Sequence, residues 1–266
     1  MLVEAARKHA EYLTINHIET PMSLDWHNEE EGKKGFIGKE PKDQALAIGF
    51  TPSENYFVTN TMTVFATDMQ PFAEPEYLFH HMASTILHRS MIIGQSYEAI
   101  GFYKYKDPKT RLNILVFFGS QKLFDNEDRI YKYPENNQKE VPVGMLPEIP
   151  QPFSSPITGF PITVQLSTKD YDKNISLISA EITDPKGKKL PILTLTPETN
   201  SQAGEFAKSL KIISIATKGL LQPFTTYKVK MKVKDTTGKI VLDEEWSFTT
   251  GNGKIKFLGI DFKDLF

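Results

Sequence analysis

The chain has 266 residues and a formal net charge of -2, which fits two domains or one large one and provides no long-range field to gather nucleic acid or an anionic membrane. It holds no cysteine, which excludes disulfides, thiolate nucleophiles and Cys-based zinc or iron–sulfur sites, so any metal must be held by His and carboxylate. No apolar run approaches the roughly 20 residues of a bilayer-spanning helix, and the N-terminus has no basic, apolar, small-residue signal layout.

The first element, LVEAARKHAEYL, places Leu2, Ala5, Ala6, His9 and Leu13 at helical spacing with no capping residue before it. This suggests a helix entered part-way, with an upstream segment, with or without an export signal, expected before Met1. Helices are expected over 2–15, 41–48 and 75–90. The runs SYEAIGFYKYK and RLNILVFFG, separated by DPKT, predict an antiparallel hairpin. Residues 1–124 are therefore read as one α+β domain.

Residues 125–159 carry closely spaced prolines, which disfavour helix and predict an extended linker. From Phe160 the chain turns to short alternating strands such as ITVQLS, SLISAEIT and TYKVKMKVK, with DPKGKK and DTTGK as turns. This predicts an all-β, immunoglobulin-like or fibronectin-like sandwich over 160–251. Within LLQPFTTYKVKMKV, Leu221 and Tyr227 fit a tyrosine corner, and Trp246 fits a core position on a late strand. Residues 252–266, apolar and aromatic, are expected to form a tail or last strand.

Candidate chemistry falls to the histidines at 9, 17, 27, 80, 81 and 88. His9 lies on the helix and is expected to pack. His17 and His80 read as solvated or capping residues. His27 sits in the Gly-bearing acidic loop LDWHNEEEGKKGFIG, where binding residues concentrate. No HExxH motif is present, and His81 and His88 would lie two helical turns apart, roughly 10 Å, too far to share an ion directly. Ser53, Ser84 and Ser90 lie in no GxSxG or SxxK motif, and there is no glycine-rich phosphate loop.

Taken in order, AARKHAEYL, the loop histidine in WHNEEEGKKGFIGKEPKDQALAIGF, SEN, and LHRSMIIGQSYEAIGFYKY resemble the CAP superfamily of cysteine-rich secretory proteins, antigen 5 and plant pathogenesis-related proteins, in its cysteine-free bacterial branch. The resemblance covers about residues 2 to 124. It implies an α-β-α sandwich with a cleft lined by two His and one or two Glu, and by position those residues are His27, Glu54 and His88. Ser53 stands where the family has glycine, and the tryptophan expected before the H-R element is replaced near His81 or Met82. Glu30 and Glu76 are the candidates for the second glutamate, with His81 and Arg89 as further cleft residues. Arg89 is also expected to anchor the helix end.

The resulting expectation is an α+β chain, a CAP-type domain joined by a linker to an Ig-like sandwich. Its function is expected to be that of an exported binding module, secreted or at the cell envelope, with a metal, lipid or cell-surface ligand. The alternative is a hydrolase in which His27 and His88 hold a divalent ion, zinc or calcium, and Glu54 either ligates it or activates water as general base. A third reading makes the three residues a purely structural hydrogen-bond network.

Overall fold

The computed structural model describes residues 1–17, 24–66, 80, 82–90, 92, 97–107, 112–122, 128–168, 170, 172–254 and 263. Two compact units emerge: 1–79 with 95–123, and 80–94 with 124–266. The segment 80–94, expected inside the first domain, groups with the second.

In the first unit, α1 (Leu2–Asn16) buries Leu2, Ala5, Ala6, His9, Ala10, Tyr12 and Leu13 along one face. A three-stranded antiparallel sheet in the order β1-β3-β2 receives it, built from β1 (Tyr56–Ala66), β2 (Tyr97–Lys106) and β3 (Leu112–Lys122). The small residues on α1 permit close approach, and Gly101 on β2 is required by it: a Cβ there would sit 2.3 Å from Val3 N. Ile114, Val116 and Phe118, at alternate positions on β3, close the core against α1. The short α2 (Pro41–Ala47) starts with Pro41 and a reciprocal Glu40/Asp43 capping box.

The second unit is a β-sandwich. One sheet runs β5-β11-β10-β7 and the other β4-β6-β9-β8, with β4 (Arg129–Tyr133), β5 (Gln138–Val141), β6 (Ile162–Ser167), β7 (Ile175–Thr183), β8 (Ile192–Leu195), β9 (Ile212–Thr217), β10 (Thr226–Asp235) and β11 (Ile240–Thr250). The inner face of β6, Ile162, Val164 and Leu166, packs with Val229, Met231 and Val233 of β10. β9 is buried along its whole length because its outer face is covered too: Ile212 and Ala216 join Ile86 and Leu87 of the 80–94 segment and Ala203 and Ala207 of a helix. We number the short helix Leu87–Ser90 α3 and the helix Gln202–Leu210 α4. The Tyr227 hydroxyl accepts the Gln222 backbone N–H at 2.9 Å beside buried Leu221, and Trp246 Nε1 donates to Pro134 O at 3.0 Å.

The α+β class with an α-β-α CAP-type first domain is therefore corrected. Eleven strands in three sheets dominate the described residues, and the fold is mostly β. The first unit departs from expectation at Tyr56–Ala66, whose β-branched and aromatic residues form the 11-residue strand β1 in a stretch read as helices and loops. Residues 125–159, expected as a linker, instead supply β4 and β5, because Pro134 and Pro142 fall just outside the paired segments. The helix expected over 75–90, the DPKT turn and the tail lie partly outside the described residues.

Candidate functional site

The described candidates sort into two places. In the first unit, the 3-10 turn Leu24–His27 presents His27, half-buried, to β1. Its Nδ1–H donates to Asn60 Oδ1 at 2.7 Å and reaches Asn60 O at 3.1 Å, while Asn60 Nδ2 donates back to His27 O at 3.0 Å and to Gln44 Oε1 at 3.4 Å. Two oxygens facing Nδ1 make it the protonated nitrogen. Asn60 is 1% exposed, so the imidazole is clamped at a single orientation.

The same loop is held again a few residues away. His9 and Glu29, both buried, meet at 2.9 Å, His9 Nε2 lies 2.8 Å from Trp26 O, and Glu29 Oε2 accepts the Ile37 N–H at 2.7 Å. Glu30, the glutamate singled out from sequence, is exposed, whereas its neighbour Glu29 is the buried one. The Glu30 N–H donates to Tyr12 Oη at 2.8 Å. Glu54 occupies the exposed turn before β1, between Ser53, whose N–H donates to Glu98 Oε1 at 2.9 Å, and Asn55, whose φ of 66° is left-handed.

His88 belongs to the second unit. Its Nδ1 lies 2.7 Å from Glu148 Oε1, and the same carboxylate accepts the backbone N–H of His88 at 2.9 Å and of Ile86 at 2.8 Å. Glu148 is 4% exposed. Burial alone would raise its carboxyl, but the His88 imidazole and the two backbone donors outweigh it and hold the group below its ordinary value of 4.5. The result is an ionised buried carboxylate that fixes both the entry to α3 and the ring of His88.

Arg89, 1% exposed, is the deepest residue of the group. Its Nε donates to Ala83 O at 2.7 Å, and Nη1 donates to Pro161 O at 2.6 Å and Thr163 Oγ1 at 2.9 Å. The guanidinium lies 4.5 Å from the Phe160 ring centre and 4.8 Å from that of Tyr133, a flat cation between two aromatic faces. Burial lowers it to about 10, so it is charged at neutral pH.

The cleft residues expected to act together are thus divided, His27 and Glu54 in one unit and His88 in the other, and each is described in its own surroundings. Glu76 and His81 lie outside the described residues. Among the described residues, no group of three or more His, Asp or Glu side chains is placed to hold a metal ion, and no helix is long and apolar enough to cross a membrane. Glu148, Asn60 and Glu29 were missed by sequence reasoning. Glu148 sits in LPEIP, a stretch read as linker, and Glu29 in the run NEEEG, where no local signal separates it from its neighbours. No family model matches the chain, and no curated protein matches it.

Proposed function

We propose that the protein is an exported, non-catalytic binding module whose buried polar residues build its loops and leave recognition to its surface. One observation carries this reading: the polar groups that could do chemistry are engaged as structural clamps, His27 by Asn60 and His88 by Glu148. A clamp of this kind orders a loop at the cost of satisfying every buried polar atom in it. The order of the N-terminal motifs, similar to exported CAP proteins, supports export. The α-β-α fold of that family forms no part of the proposal.

The test pairs binding with turnover. Purified protein is assayed for retention on cell-wall sacculi and on phosphatidylcholine and phosphatidylglycerol vesicles, for calorimetric binding of zinc and calcium, and for ester and peptide hydrolysis. The reading expects retention on sacculi or vesicles that survives His88→Gln, with no turnover. Hydrolysis that falls 100-fold or more in a folded His88→Gln variant, in line with the usual contribution of a general base, overturns it, as does retention on none of the surfaces offered.

A further inference from the structure

The Arg89 site contains a mismatch that the clamps above do not resolve. Arg89 Nη2 and Gln165 Oε1 are both buried and both lack a hydrogen-bond partner. One is a donor and the other an acceptor. Both residues line the same small cavity between α3 and β6, with about 10 Å³ open to the centre of a water-sized sphere. That is close to the room one water molecule requires, and buried waters characteristically sit where they satisfy polar groups of this kind.

We propose that this cavity binds one water molecule, which accepts a hydrogen bond from Arg89 Nη2 and donates one to Gln165 Oε1. The amide cannot turn to solve the problem itself, because Gln165 Nε2 is already committed to Ser90 O at 3.2 Å and Leu210 O at 3.3 Å. Its oxygen is therefore left as a fixed acceptor on a residue that lines the cavity. This selects the guest. A halide would suit the guanidinium but would be repelled by the amide oxygen, whereas water is both acceptor and donor. The alternation of β6 places the pair correctly: Ile162, Val164 and Leu166 turn into the sandwich core, so Thr163 and Gln165 turn toward the 80–94 segment. The bound water completes the attachment of that segment, linking the side chain of α3 to a strand about 75 positions later in the chain.

A high-resolution crystal structure of the full chain, with a second crystal soaked in bromide, tests this. The expected result is a density peak within about 2.7–3.2 Å of both Arg89 Nη2 and Gln165 Oε1, with no anomalous bromide signal there, and loss of that peak in Gln165→Met while Arg89 keeps its bonds to Ala83, Pro161 and Thr163. A bromide peak means an anion site and overturns the proposal. So does the absence of any peak in the wild type, or a peak that persists unchanged in Gln165→Met.

Discussion

His9 and Glu29 meet at 2.9 Å with neither side chain reaching solvent, and each ring nitrogen of His9 faces an oxygen. One is the Glu29 carboxyl and the other the Trp26 carbonyl, so a single imidazole ties α1 to the turn that carries His27 and to the chain just beyond it. Removing one member strands the other in a dry environment.

Glu29→Ala is expected to destabilise the first unit by about 1–3 kcal/mol, the usual cost of leaving a buried polar group without its hydrogen-bond partner. Glu30→Ala, one residue away and exposed, is expected to change stability by no more than about 0.5 kcal/mol. The chain has two tryptophans, Trp26 in the first unit and Trp246 in the second, so denaturation followed by fluorine NMR of fluorotryptophan-labelled protein reads each unit at its own resonance.

Arg89→Lys keeps the positive charge but lacks the planar fork that serves Ala83 O, Pro161 O and Thr163 Oγ1 together. At least one buried acceptor loses its donor, a loss of about 1–3 kcal/mol each. The Trp246 resonance should report a lowered unfolding midpoint. An unchanged midpoint would show that lysine reaches the same oxygens.

Acid should act through Glu148. Its carboxyl is held below 4.5 in the folded protein, so the folded state binds its proton less readily than the unfolded chain does. The stabilisation is complete above 4.5 and is lost as pH falls through the lower folded value. Glu148→Gln is therefore expected to be less stable than the wild type at pH 7, with the gap between the two narrowing on acidification below 4.5. Paired denaturant titrations across that range measure it, and a constant gap would contradict the assignment.

At the tyrosine corner, Tyr227→Phe removes only the oxygen that accepts the Gln222 N–H. The donor belongs to an exposed residue that water can reach, so only the net value of the bond is lost, about 0.5–1.5 kcal/mol. Thermal unfolding of the variant provides the check.

The elements that could be read from sequence are those whose signal is local. The face of α1 shows in Leu2, Ala5, Ala6 and Leu13, and the β2/β3 hairpin in two aromatic runs. β10 shows strict alternation from Tyr227 to Asp235, which carries its inward and outward faces openly. β1 did not, since its threonines and Asn60 dilute the apolar pattern, and Asn60 is buried for the sake of His27 rather than of the core. The expected cleft failed for a different reason. His88 and Arg89 take their partners from Glu148, Pro161 and Thr163, between 60 and 74 positions downstream, and no spacing rule within a helix or loop points that far. Arg89 as an anchor was legible from its chemistry; what it anchors to was not.

The placement of the 80–94 segment in the second unit sets an order of events during synthesis. Ile86 leaves the ribosome 62 residues ahead of Glu148, and Arg89 leaves 74 residues ahead of Thr163. At about 5–20 residues per second that is a wait of roughly 3–15 s. Through that interval Ile86 and Leu87 have none of their later neighbours to pack against and Arg89 has none of the β6 oxygens that will hold it, so the nascent chain passes through a stage in which an early segment awaits capture by strands still being made.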